Sequence, residues 1–312
     1  MLGKTAGGLY WMFRYLERCE NTARLAAAGQ RIALTRSHAD DEWASVLETT
    51  GSLASYRARH DAVRRETAID WLLCDRSNPS SALSCIEMAR SNARMVRTAL
   101  TREVWESVNE SWMVLREALS RRVTERDLPE ATALIRARSH QVRGAFAGTM
   151  LRNDIHDFAR IGTFIERADS TARLLDVKYY VLLPSAHAVG SSLDNVQWES
   201  ILRSVSAEGA YRMTWGQEVR PRLIARFLIL DRRMPRSLAF AMGKVAENLG
   251  YLALDYGDRP PSHDLVDALR TARLDRDIDD IFASGLHEYI QDFLRDLAAI
   301  GTQIETDYRF HA

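Results

Sequence analysis

Lysine is almost missing from this sequence. Lys4, Lys178 and Lys244 are the only three in 312 residues, and arginine supplies the rest of the 42 basic positions. Arginine's planar, permanently charged guanidinium suits bidentate contacts to carboxylate or phosphate, although a coding bias toward arginine would leave the same trace. Net charge is missing too. Forty-two acidic residues cancel the basic ones and no block of five like charges occurs, so no overall field draws the chain to nucleic acid or to an anionic membrane. Cysteine is reduced to Cys19, Cys74 and Cys85, an odd number without CxxC spacing, which argues against a disulfide framework or a zinc site and for buried thiols. No window of 18 apolar residues is present, and the Gly-rich start "MLGKTAGGLYWMF" lacks an apolar h-region and a small-residue cleavage site. A soluble, cytoplasmic protein with no membrane partner is therefore expected.

Familiar chemical motifs are also missing. None of the eight histidines has a glutamate three residues before it, which removes the Glu-x-x-His pairs of helical di-metal proteins. HExxH, P-loop, GxGxxG and GxSxG patterns do not occur, so metal hydrolysis, autonomous nucleotide binding and serine-nucleophile chemistry lack support. The short acidic stretches "HADDE" at 38–42 and "NDIHDF" at 153–158 read as helix starts rather than cation sites. No intrinsic metal or cofactor is expected.

What is present is helical periodicity. At 46% hydrophobic the chain can bury a large core. Its apolar residues recur at helical spacing almost throughout, without alternating runs bounded by glycine or proline. The fold class is all-α. Long helices are expected at about 8–36, 154–183 and 278–309, with shorter ones at about 41–57, 61–74, 79–100, 102–121, 128–150, 196–214, 219–230, 236–254 and 262–272. Asn78-Pro79 reads as an N-cap followed by proline at the first helical position. Pro184 with "SAHAVGSSLDN", and "DYGDRPPSHD" at 255–264, read as loops.

The pattern occurs twice. "RYLERCENTAR" at 14–24 returns as "TFIERADSTAR" at 163–173, with Glu17, Arg18, Thr22, Ala23 and Arg24 repeated by Glu166, Arg167, Thr171, Ala172 and Arg173. Past a six-residue insertion, Trp43 falls on Trp198, Tyr56 on Tyr211, Asp75 on Asp231, Pro79 on Pro235 and Ser81 on Ser237. This reads as one domain over 1–312, built from duplicated halves 1–151 and 152–312 and packed as a helical bundle about a pseudo-twofold axis. Two copies of about 150 residues are not a solenoid.

The first copy of the motif lies on a helix that is apolar nearly all round, and such a helix tends to be buried. Arg14, Glu17, Arg18, Asn21 and Arg24 must then be paired or line a cleft. Two readings stay open. In one, Glu17 and Arg24, with Glu166 and Arg173, build a symmetric salt-bridge network at the pseudo-twofold seam that fixes register. Alternatively they line a charged cleft in which arginines hold carboxylate or phosphate and a glutamate takes a proton. The halves differ at Arg90, Arg94 and Arg97, which lie on one helical face beside Asn92; the second has Ala246, Gly250 and Ala253 at the matching places and retains only the asparagine, as Asn248. Any anionic group is accordingly expected at the first half, with Glu166 or Arg167 contributed from the second.

Taken together, "GLYWMFRYLERCENTARL", "ARIGTFIERADSTARLLDV", "NPSSALSCIEMARSNARMVR", "WESILRSVSAEGAYR" and "FLILDRRMPRSLAF" resemble the bacterial alpha-E domain family, a helical domain of unknown function named for its ER motif. The ER pairs here are Glu17-Arg18 and Glu166-Arg167; Cys19 departs from the alanine that stands at Ala168. The resemblance implies a context of ATP-grasp ligase-like proteins, often with a transglutaminase-like peptidase nearby, and hence an amide or peptide ligase system. ATP and Mg would enter only through the partner ligase, and an amino acid or short peptide would be the substrate. Glu17 and Glu166 would be candidate bases, with Arg18, Arg24, Arg167 and Arg173 clamping oxyanions.

Overall fold

The computed structural model describes residues 1–33, 39–181 and 192–311. Among the described residues there is no β-strand, and they form a bundle of fifteen α-helices. The first half runs through α1 (Gly3–Ala33), α2 (Ala39–Thr49), α3 (Leu53–Arg57), α4 (Arg65–Leu73), α5 (Ala82–Met95), α6 (Arg102–Ala118) and α7 (Leu128–Thr149). The second runs through α8 (Asp154–Val181), α9 (Ser192–Ser204), α10 (Glu208–Trp215), α11 (Pro221–Ile229), α12 (Leu238–Tyr256), α13 (Ser262–Leu269), α14 (Ile278–Ala283) and α15 (Leu286–Asp307).

Two long helices form the axle. α1 packs on α8, α5 and α7, while α8 packs on α12 and α15. α1 is buried on nearly every side, with Leu9, Met12, Leu16, Cys19, Ala23 and Ala26 in the core; each fully buried large apolar side chain contributes about 1.5–3 kcal/mol. The two axle helices touch at Gly162, where a Cβ would collide with the Tyr10 carbonyl oxygen. That contact brings the polar lines of both helices face to face.

Several expected helices are divided, each for a local reason. The 41–57 helix breaks at Gly51 (φ 66°) and the 196–214 helix at Ser206 (φ 54°); the 278–309 helix breaks at Gly285 (φ 91°). A residue in the left-handed region cannot continue a right-handed helix. The expected start at Asn78-Pro79 is a turn instead: Asn78 Nδ2 donates to the Trp71 carbonyl at 2.8 Å and its Oδ1 accepts from Ser80 N at 3.0 Å. The cap of α5 is Ser81, whose Oγ accepts from Ser84 N at 3.2 Å, and Ser237 caps α12 through Phe240 N at 3.0 Å. The expected loop after Pro184 lies outside the described residues as far as 191, and α9 takes over at Ser192. His38 of "HADDE" also lies outside the described residues, whereas in "NDIHDF" Asn153 Oδ1 accepts from His156 N at 3.4 Å as a helix start. Cys19 and Cys85 are buried thiols; Cys74, at the end of α4, is only half-buried.

Candidate functional site: the ER seam

At the crossing of α1 and α8 the two ER motifs pair reciprocally. Arg18 reaches across to Glu166, donating Nε to Oε1 at 2.6 Å and Nη2 to Oε2 at 2.9 Å. Arg167 does the same in return, donating Nε to Glu17 Oε1 and Nη2 to Oε2, both at 2.9 Å. These are parallel, bidentate guanidinium–carboxylate contacts, the strongest form of this pairing. Adjacent glutamate and arginine in one motif point in different directions around the helix, so each motif offers its carboxylate to one neighbour and its guanidinium to another.

Around this shared pattern the two carboxylates collect different partners. Glu17 also accepts from Arg143 of α7 at 3.0 Å and lies 3.3 Å from Arg236 Nη1. Glu20, one turn along α1 and fully buried, takes Arg24 at 2.7 Å, Arg236 at 2.8 Å and a contact from Arg143 Nη2. Glu166 takes one further arginine, Arg14, at 3.0 Å. Asp169, at the place of Glu20, is chelated by Arg173 at 2.8 and 3.1 Å. Glu17 and Arg24 thus join one network through shared partners rather than by direct contact; the intrahelical partners of Arg24 and Arg173 are the acids four residues before them.

The electrostatics follow from this crowding. Burial alone would push the Glu17 carboxyl up, but Arg167, then Arg236 and Arg143, hold it far below the usual carboxylate range. Burial likewise opposes ionisation of Glu166, and Arg18 and Arg14 prevail in lowering it. Glu20 is lowered against both burial and its neighbour Glu17. Arg236 shows the reverse balance: burial pushes it down to about 10 even beside Glu17 and Glu20. All these groups are charged at neutral pH, and each buried carboxylate is fully engaged.

Beside Glu166 a pocket of about 250 Å³ is lined by Arg18, Asn21, Thr50, Ser80, Asp169 and Arg173, among others. Asn21 accepts from Arg236 Nη1 at 3.0 Å through Oδ1, while its buried Nδ2 has no partner among the described residues. Arg90, Asn92 and Arg94 sit elsewhere. Arg90 stacks on Trp112 at 3.9 Å and donates to Asn109, Asn92 bonds back to the Met88 carbonyl, and Arg94 is exposed. Of the residues singled out in the sequence, the structure therefore gathers Arg14, Glu17, Arg18, Asn21, Arg24, Glu166, Arg167 and Arg173 at one seam. It adds Glu20, Arg143, Asp169 and Arg236. Among the described residues no group of three or more His, Cys, Asp or Glu side chains is arranged to hold a metal ion, and no helix is long and apolar enough to cross a membrane.

Comparison with known proteins places the chain in a family. An uncharacterized protein of Mycobacterium bovis and two of Mycobacterium tuberculosis (strains CDC 1551 and H37Rv) are 24%, 24% and 23% identical over 321 residues, covering 93% of this chain. The match is 35% of each of those proteins, so this chain spans about a third of the length of the curated relatives it matches. No solved structure matches. Residues 1–308 match a family described as a predicted alpha-helical domain with a conserved ER motif, and the chain belongs to that Alpha-E family.

Proposed function

We propose that this domain is a non-catalytic helical scaffold that binds a partner, and that its two ER motifs are a salt-bridge lock holding the halves together. The carrying observation is the reciprocal pairing of Arg18 with Glu166 and Arg167 with Glu17, with both carboxylates buried and saturated by guanidiniums. A carboxylate held so far down is a weaker proton acceptor than a free one. The same reciprocity supports descent of residues 1–151 and 152–312 from one duplicated unit about a pseudo-twofold axis, since a twofold converts every i-to-j contact into j-to-i.

The partner in this reading is an ATP-grasp ligase-like protein, with a transglutaminase-like peptidase beside it and an amino acid or short peptide as substrate; ATP and Mg belong to the ligase. Its support is the family resemblance, together with relatives in which the match is only about a third of a longer chain. A cytoplasmic setting goes with it. Two measurements test the proposal. Glu17→Gln should lower the unfolding free energy by about 3–5 kcal/mol, as breaking a buried pair does, while the surviving folded protein still captures the ligase-like partner in a pull-down. Unchanged stability with lost ligation in the reconstituted pair would reverse the reading.

A further inference from the structure

Next to the Glu17 cluster a cleft of about 620 Å³ opens between α7, α8 and α12, within the size range of small-molecule sites. Five cationic side chains line it, Arg143, Arg152, Arg160, Arg167 and Lys244, against the carboxylates Asp157, Glu247 and Asp255. Most of these charges are already answered. Arg143 and Arg167 bind Glu17. Lys244 binds Glu247, whose other oxygen accepts from the Tyr251 hydroxyl at 3.2 Å. Asp157 lies 3.7 Å from His156 Nδ1.

Arg152, without an ion pair among the described residues, is exposed; Arg160 differs in its burial. It is half-buried, its guanidinium lies over the Phe164 ring at 4.5 Å, and among the described residues no carboxylate comes within ion-pair distance of it. Burial, then the neighbouring charge of Arg167, lowers its pKa; Glu247 offsets this in part and Arg152 adds to it. A partly desolvated cation without an ion-pair contact is costly, and an entering oxyanion would remove that cost through charge-assisted hydrogen bonds. The cleft also offers aromatic and apolar surface, one turn before Arg160 on α8 and on α7 and α12. Phe146 and His156 stack at 5.1 Å with their planes 12° apart, and Leu254, which also lines the cleft, is 81% exposed.

We propose that this cleft binds a small molecule carrying a carboxylate or phosphoryl oxyanion on an apolar body, with Arg160 as the partner of the oxyanion and the Phe146–His156 stack against the body. Calorimetric titration of the full chain with N-acetylphenylalanine and with phenyl phosphate distinguishes the two sources of oxyanion; N-acetylphenylalanine amide, which lacks the charge, is the control. At least one oxyanion should bind saturably, and the amide should bind about tenfold more weakly or worse, the loss of one charge-assisted bond. Arg160→Met should lose the same factor while Arg160→Lys recovers part of it. Because Arg160 holds no ion pair with a described residue, Arg160→Met should melt at or above the wild-type temperature, which separates lost binding from lost fold. The proposal is overturned if neither oxyanion binds, if the amide binds as tightly, or if Arg160→Met binds undiminished.

Discussion

The seam at Glu17 and the seam at Glu166 carry the same motif and the same cross-helix pair, yet one is closed and the other open. At the closed end, Arg236 reaches into the space between Glu17, Glu20 and Asn21. In the alignment of the halves, Pro79 matches Pro235, so Ser80 stands where Arg236 stands. Both segments are held alike: Thr171 Oγ1 donates to the Arg236 carbonyl at 3.0 Å, and Thr22 Oγ1 to that of Ser80 at 3.4 Å. Ser80 is too short to reach the carboxylates, and the pocket of about 250 Å³ lies there instead. The motif therefore fixes the pairing of α1 with α8, and the neighbouring side chains, Arg236 against Ser80 foremost, with Arg143 added at the closed end, go with the difference in filling.

Removing a carboxylate tests that contrast most strongly. Glu17→Gln leaves Arg143, Arg167 and Arg236 facing a neutral group and should cost about 3–5 kcal/mol in urea unfolding. Glu166→Gln, which strands only Arg14 and Arg18, should cost less. Equal losses would mean that the cross-helix pair alone matters and that the extra arginines add nothing. Arg236→Ser comes next. It gives the closed end the side chain of the open end, and should cost about 1.5–3 kcal/mol, the range for a hydrogen bond to a charged group.

Acid dependence probes the same carboxylates. Glu17, Glu20 and Glu166 have folded pKa values below the ordinary 4.5. Their contribution is complete above the unfolded value and is lost as the pH falls through about 4.5 toward the depressed folded values. Melting temperature should therefore hold above pH 5.5 and fall steeply below 4.5. Glu17→Gln should start lower and fall less; an acid limb parallel to wild type would contradict the role given to Glu17.

Much of this was legible in the sequence, and what was not has a physical cause. Helical periodicity gave the all-α class, and the repeated motif located both halves of the seam. Pairing followed packing rather than spacing: Glu17 meets Arg167, 150 residues away, because Gly162 lets the axle helices approach at that point. Arg143 and Arg236 join from α7 and from the turn before α12, and no local pattern announces them. Three signals were within reach. Glu20 and Arg24 stand at i, i+4, a favourable helical pair, and the Ser80–Arg236 mismatch is visible in the aligned halves. Gly51, in the left-handed region at the end of α2, likewise marked a helix break.

The smallest expected effect concerns the break itself. Gly51 and Ser206 occupy matching turns, closed by Ser52 N to the Leu47 carbonyl at 2.9 Å and by Ala207 N to the Leu202 carbonyl at 2.8 Å. A serine with φ 54° is strained by about 1 kcal/mol relative to glycine. Ser206 has a return for that strain, because its Oγ accepts from Arg24 Nη1 at 2.7 Å, a bond contributing about 0.5–1.5 kcal/mol. Ser206→Gly removes both terms and should change the unfolding free energy by less than about 0.5 kcal/mol. Ser206→Ala keeps the strain and loses the bond, so it should cost about 1 kcal/mol. If Ser206→Gly instead stabilised the protein by the full value of the strain, the Arg24 bond would contribute nothing. The reach of Arg24 toward the α9–α10 turn would then rest on its 3.3 Å bond to the Ser204 carbonyl alone.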